Sequence, residues 1–456
     1  MEPTSTASIK VARWLVAVLA VANVIRAITL SVTVGEAWNY DRFIQPPWRD
    51  ALAHFDLNNH VLNTLLVRIS THYFHLTELS LRLPSVLAGF LYLWVVYRLV
   101  ERRFGSGWQM PLIIGLLTLN PLVLNAMSEA RGYGMALACM VWALELMLEL
   151  AESFSAPKFN LAAVLLGLSI SASLAFAAPA VALATVFLAW GRGWLWPRGK
   201  GLAFGFLIFL PTFVFLVIPI DHVTVSSFAG GATSLRQTLN EISAISLGTS
   251  TPWVMGAVRI GVGILAAVCL IAAIRFGRHR WNALLVLTAG TFPLTLGILL
   301  AAHRWLHAPF PSGGALYLVP ISTLALTALF LKRNTKSAKL LLYAGGILLI
   351  ARYVTATDIR TYAGNEEFAG GRALAKALRT EVGLGGIDLG ASKSVEPIVN
   401  YYRTRLRQGN WERVPRQPPT GSYAYYVLAG PDRALVEERQ LKVVYQDAGL
   451  ILARRP

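Results

Sequence analysis

Hydrophobic positions fall in long runs, each near the roughly 20 residues that span a hydrocarbon core. The runs predict helical spans at 11–34, 82–100, 109–127, 132–151, 160–175, 177–190, 201–220, 253–275, 282–302, 314–331 and 339–354. The 160–190 stretch is too long for one crossing, because as a single helix it would reach about 46 Å at 1.5 Å per residue. Pro179 lies near a break in it. The basic residues decide between one crossing and two. Arg102/Arg103, Arg192/Arg198/Lys200, Arg275/Arg278/Arg280 and Lys332/Arg333/Lys336/Lys339 occupy short loops. All four loops fall on one face only if 160–190 crosses twice. Eleven spans follow, with the amino terminus in the cytoplasm. Lys10 and Arg13 precede the first run, which continues past Ala20 and Ala22 to Val34, so it reads as an uncleaved span rather than a signal peptide.

The other face then holds the loops 35–81, 128–131, 221–252 and 303–313 and everything after about 355. In the first of these, Leu62, Leu65, Leu66, Ile69 and Tyr73 recur on one side of a helix lying in the interface. Asn58 or Asn59 can cap that helix, which sets His60 beside its N-terminus, where backbone N–H groups favour an anion. The last hundred or so residues change character. Helix-like stretches (Glu366 to Arg379; Val395, Ile398, Val399, Tyr402) alternate with strand-like runs at Tyr423–Ala429, Leu441–Tyr445 and Leu450–Ala453. The division expected is a membrane domain over 1–354, with its first outer loop at 35–81, and a small extracytoplasmic α/β domain over 355–456. The "GLGGIDLG" within the tail lacks the glycine spacing of a dinucleotide site.

Composition supports lipid as the solvent. Of 456 residues 55% are hydrophobic and 14% charged, with a mean hydropathy of +0.53, against about 25% charged in soluble chains. The net charge of +17 comes largely from the short basic loops, so it signals orientation rather than a nucleic-acid partner. Cys139 and Cys269 both lie in apolar runs and offer neither a disulfide framework nor a zinc site.

Transporters place ionisable groups near the midplane. Here six spans (109–127, 160–175, 177–190, 201–220, 282–302 and 314–331) contain no charged residue, and the polar groups sit at the outer ends. That distribution suits an enzyme working at the interface on a lipid-linked substrate. The first outer loop opens Gly35-Glu36-Ala37-Trp38-Asn39-Tyr40-Asp41, which sets Glu36 at the lipid–water boundary, and Asp56 and His60 follow. The hairpin Ser128-Glu129-Ala130-Arg131-Gly132-Tyr133-Gly134 has two readings. One is an internal Glu129–Arg131 pair that anchors the turn; the other is an arginine whose planar fork grips a phosphate. His303-Arg304-Trp305 to His307, before Pro309-Phe310-Pro311-Ser312-Gly313-Gly314, adds a basic edge.

In order and spacing, "GEAWNYD", "NNHVLNTLL", "LRLPSVLAGFLYLWVVYRLVERRFG", "NPLVLNAMSEARGYG" and "GGALYLVPIS" resemble the C-type (GT-C) membrane glycosyltransferases of the family 39 kind. These are relatives of the protein O-mannosyltransferases and the lipid A aminoarabinose transferase. The likeness is strongest over the first 150 or so residues and continues at 303–325 and through "YYR…YYVLAG". It implies an all-α polytopic GT-C membrane fold with the small α/β domain outside. The implied activity moves a sugar from a polyprenyl-phosphate donor to an extracytoplasmic glycan, lipid or protein acceptor. It also assigns roles: Glu36 takes the second place of the family's acidic pair, while Gly35 stands in the first. His60 matches the basic residue that contacts the donor phosphate, and Glu129, Arg131 and Tyr133 match the Glu-Ala-Arg-x-Tyr turn. The family's late arginine is replaced by Gly313-Gly314-Ala315, with Arg304 as the substitute.

The expected site therefore has Glu36 as catalytic base, Glu129 as the second acid, and His60, Arg131, Tyr133 and Arg304 around the donor phosphate. A polyprenyl phosphate is already a good leaving group, so a base and phosphate-holding cations suffice. No cofactor is assigned; a divalent metal at the first loop stays an open alternative, but with Gly35 in place of an acid it would have one carboxylate of the usual two, and no metal ligand is assigned. The alternatives are a flippase for a lipid-linked glycan, which wants midplane charges, and an inactive relative that only binds polyprenyl lipid. The expected location is the inner membrane, with the site on the face away from the cytoplasm.

Overall fold

The computed structural model describes residues 6–47, 59–105, 107–191, 193, 200–217, 231–276, 283–333, 335–383, 385–408 and 411–456. Trp48, Asp56 and Asn58, the basic residues Arg192, Arg198, Arg278 and Arg280, and residues 221–230 lie outside them. In hydrocarbon, backbone groups must find their partners within the element, so the apolar runs become helices. In chain order these are α1 (Thr6–Thr29), the short α2 (Val34–Asn39), α3 (Val61–Phe74), α4 (Glu78–Phe104), α5 (Gln109–Thr118), α6 (Pro121–Ala126), α7 (Tyr133–Glu152), α8 (Ala156–Ala172) and α9 (Ala177–Trp190). There follow α10 (Lys200–Thr212), α11 (Leu235–Leu247), α12 (Pro252–Phe276), α13 (Ala283–Leu306), α14 (Leu318–Arg333) and α15 (Lys336–Ala356). Seven of the described helices are long and apolar enough to cross a membrane, and four further apolar ones are shorter. The protein is a polytopic helical membrane protein; eleven crossings require the four short helices to cross as well.

Two breaks shape the bundle. The 160–190 run separates at Ser173, whose backbone is extended (φ −159°, ψ 119°), several residues before Pro179, which sits inside α9. The 109–127 run is not continuous either: Asn120 caps a new helix by accepting from the Leu122 N–H at 2.9 Å, and Pro121 follows at the first helical position. The helix after His60 presents Asn63, Thr64, Val67 and Ser70 to the protein and leaves Ile69, Tyr73 and Phe74 exposed. This is the orientation of a helix whose apolar side meets lipid. His60 itself, not Asn59, is its N-cap, and Asn59 accepts from the Thr64 hydroxyl at 3.0 Å.

The tail contributes α16 (Gly371–Val382), α17 (Glu396–Arg405) and a four-stranded sheet of β1 (Leu389–Ala391), β2 (Tyr425–Leu428), β3 (Lys442–Asp447) and β4 (Leu450–Arg454), in the order β1-β2-β4-β3. β1 and β2 run parallel across α17, while β3 and β4 form an antiparallel hairpin. Its core is continuous with the first loop: Val32, Ala37, Tyr40 and Ile44 pack in one cluster with Leu374, Val399, Tyr401 and Leu452. Glu78, buried at the start of α4, binds the tail by accepting from Arg372 Nε (2.7 Å), Arg405 Nη2 (2.6 Å) and the Tyr402 hydroxyl (3.2 Å). At the opposite end of the bundle Arg102 and Arg103 of α4 pair with Glu145, Glu149 and Glu152 of α7. Lys158 pairs with Glu149 at 2.6 Å, and Lys332 lies over the Phe276 ring.

Candidate active site

Glu36 is fully buried at the third position of α2, and its acceptor capacity is used up. Arg82 forks onto it, Nε to Oε1 at 2.8 Å and Nη2 to Oε2 at 2.6 Å. The Thr33 N–H donates to Oε2 at 2.9 Å and the Ala130 N–H to Oε1 at 2.8 Å. Burial works to raise the pKa of Glu36, but the Arg82 charge and these donors outweigh it and hold the carboxyl below its usual range. The base expected at the lipid–water boundary is thus a buried, fully satisfied carboxylate. The remaining donors of Arg82 reach the carbonyls of Ala27, Leu30 and Ser31, which closes the C-terminal end of α1. The guanidinium groups of Arg82 and Arg26 both stand near the ring of Tyr362, from the tail, at 4.9 and 5.1 Å from its centroid.

Glu129 differs from it. It is buried in the 128–131 turn, accepts from the Thr33 hydroxyl at 2.9 Å, and forms no ion pair with Arg131 or any other described residue. Burial raises its pKa above the ordinary carboxylate value against the pull of Arg131, and the negative charge of Glu36 adds to the rise. The anchoring Glu129–Arg131 pair is absent among the described residues. Arg131 instead turns towards Tyr133, with its guanidinium 5.1 Å from the ring centroid and Nη2 3.4 Å from the hydroxyl.

Three of the four expected phosphate-binding residues meet on the wall of one cavity of about 510 Å³. His60, Arg131 and Tyr133 form its polar end with Ser173 from the break between α8 and α9. Leu174, Val181, Ile298, Leu299, Leu306 and Phe310 form an apolar wall, and Ser312 adds a hydroxyl that donates to Glu241. Val181 is 47% and Leu306 77% exposed, so this wall runs out to the surface of the bundle. Arg304 is exposed and does not line the cavity, and neither Glu36 nor Glu129 lies on its wall.

The polar end is short of partners. Among the described residues neither ring nitrogen of His60, nor Nε of Arg131, nor the hydroxyl of Ser173 has a hydrogen-bond partner, although each of these atoms is buried. Burial, with the Arg131 charge beside it, pushes the His60 pKa down to about 3, so the imidazole is neutral near pH 7. Arg131 is the only charged side chain on the described wall. The donor set does not fit a divalent metal. Position 35 is glycine, all four acceptor sites of Glu36 are filled, and no three His, Cys, Asp or Glu side chains gather among the described residues. Arg82, Tyr362 and Ser173 were not singled out from the sequence; Arg82 opens a span, where an arginine reads as a headgroup anchor.

The chain is similar to solved structures. No protein-family model matches it, and no curated protein matches it by sequence. The crystal structure of ArnT from Cupriavidus metallidurans bound to undecaprenyl phosphate is similar over 96% of this chain and 96% of that one, at 16% identity and a TM-score of 0.51. Its apo state is similar over 98% of both chains at 16% identity and a TM-score of 0.49. The arabinosyltransferase EmbB from Mycobacterium smegmatis is similar over 72% of this chain and 30% of that one, at 14% identity and a TM-score of 0.43. The end-to-end likeness to the first defines the architecture: this chain has the GT-C membrane glycosyltransferase fold.

Proposed function

We propose that the protein transfers a sugar from a polyprenyl-phosphate donor to an acceptor at the extracytoplasmic face of the inner membrane. One observation carries this reading. The cavity combines an apolar wall open to the bundle surface with a polar end whose buried imidazole, guanidinium and hydroxyl atoms lack partners. Buried polar groups without partners are rare and costly. The match is a ligand with a hydrocarbon tail and an anionic head, and the ArnT structure is of a protein bound to undecaprenyl phosphate.

In this reading the donor phosphate lies against Arg131, a neutral His60 and Ser173. The acceptor oxygen attacks the anomeric carbon as the sugar–phosphate C–O bond breaks, and its electron pair leaves on the phosphate. Arg131 and the His60 N–H stabilise that developing charge. The acceptor's proton passes to Glu129, the acid with an oxygen that makes no hydrogen bond among the described residues. Glu129 does not itself line the cavity but shares the 128–131 turn with Arg131, which does, and catalytic hydrogen bonds commonly tighten only in the substrate complex. Glu36 then acts as a scaffold carboxylate. The sugar is a hexose or pentose, and the acceptor a glycan, lipid or protein of the cell envelope.

The test is a titration of purified protein with undecaprenyl phosphate, alongside mass spectrometry of envelope glycans and polyprenyl-phosphate sugars with and without the protein. Saturable binding weakened at least tenfold by Arg131→Ala, and a polyprenyl-phosphate sugar that accumulates without the protein, are expected. Absent binding together with unchanged lipid-linked sugars would remove the reading.

A further inference from the structure

The guanidinium on the cavity wall rests against a glycine. A Cβ on Gly35 would stand 3.1 Å from Cζ and Nε of Arg131 and 3.2 Å from its Cδ, tighter than side chains ordinarily pack. Gly35 lies in helical α2, so its backbone does not call for glycine, and glycine weakens a helix relative to alanine. What glycine supplies here is space. Both sides of the contact are held: the Ala130 N–H donates to Glu36, next to Gly35, which ties α2 to the turn that carries Arg131. On the far side Gly132 has φ +73°, and a Cβ there would stand 2.3 Å from the Ala172 carbonyl oxygen and 3.0 Å from the His60 Cβ.

We propose that Gly35 is a positioning residue: its missing side chain lets the Arg131 guanidinium lie between α2 and the cavity, with no carboxylate in direct contact with it among the described residues. Alanine in its place displaces the guanidinium by a few tenths of an ångström. An aspartate there sets a carboxylate on the guanidinium and cancels the wall's cation. Glu36 thus serves as scaffold, while position 35 leaves the space in which a fixed cation stands.

The inference rests on the proposed donor site for its ligand readout but not for its geometry, so the experiment has two arms. Gly35→Ala and Gly35→Asp are made in the wild-type and Arg131→Ala backgrounds, with the melting temperature of each recorded. In the first arm undecaprenyl phosphate is titrated. Gly35→Asp should weaken binding at least tenfold and Gly35→Ala severalfold, and both effects should vanish when Arg131 is already alanine. Losses that persist undiminished in the Arg131→Ala background mean a packing role only and overturn the proposal, as does wild-type affinity in Gly35→Asp. The second arm needs no lipid ligand: phenylglyoxal modification of Arg131 is followed by peptide mass spectrometry. In Gly35→Asp, pairing with the introduced carboxylate should slow that modification at least fivefold relative to wild type, and an unchanged rate overturns the proposal. Failure of the wild type to bind the lipid, with the second arm positive, removes the donor reading and leaves this one standing.

Discussion

Glu36 accepts four hydrogen bonds, which fills the roughly four lone-pair sites of a carboxylate. No place remains for an acceptor hydroxyl. Thr33 links it to Glu129: its N–H donates to Glu36, its hydroxyl donates to Glu129, and the same oxygen accepts from the Glu36 N–H. From this division Glu129→Gln should fold normally and lose about 10²–10⁴ in transfer rate. Glu36→Gln should first lose stability, because breaking a buried ion pair costs about 3–5 kcal/mol. The wild-type rate should climb with pH as Glu129 gives up its proton, over a range set above that of an ordinary carboxylate by its burial. Melting curves and single-turnover rates in detergent decide the matter. A well-folded Glu36→Gln without activity, beside a fully active Glu129→Gln, would reverse the roles. The sequence set Glu36 just beyond the first apolar run, and the structure has it buried in α2; His60, Arg131 and Tyr133, grouped from the sequence, line one cavity. It could not show Arg82 returning across 46 residues to occupy Glu36, because that contact depends on how α1 and α4 pack.

Elements meet at this end of the bundle through buried charges rather than through apolar packing alone. Arg82 of α4 closes α1 and holds α2, and Glu78, one turn earlier, holds α16 and α17. The first loop and the tail share a core, so the tail should dock as part of the site's scaffold and not swing freely. Removing one partner of a buried, hydrogen-bonded charge pair costs about 2–5 kcal/mol. Glu78→Gln should therefore loosen α16 and α17, with hydrogen exchange accelerating over 371–405 while the helices around Cys139 stay protected. Uniform acceleration across the chain, or none, would show that Glu78 is not the clasp. Most elements were readable from apolar periodicity. The break at Asn120 was not read although Asn-Pro is a helix-start signal, because the apolar run continues through it. β1 escaped because three residues, one of them glycine, carry no period to detect.

At the scale of the whole molecule the charges sort by end, and this sorting bears on which way the chain faces. Arg102, Arg103 and Lys158 join the glutamates of α7 at one end, and Lys332 lies over Phe276 there, at the close of α12. The cavity, Glu78 and the tail are at the other end. The break at Ser173 returns the chain to the cavity end between α8 and α9, as two crossings of 160–190 require. From the basic short connections at one end, we propose that this end faces the cytoplasm. A single cysteine at Lys393, exposed in the tail, should then react with a membrane-impermeant maleimide in spheroplasts. Cysteines at Ser153 and Ser337, exposed at the basic end, should react only after the membrane is opened. Cys139 and Cys269 are buried and should stay silent throughout, so the native chain is its own background control. Labelling of Ser153→Cys from outside would invert the orientation and place the cavity where nucleotide-activated sugars are available. A polyprenyl-phosphate donor would then lose its topological reason, even with the fold and the cavity unchanged.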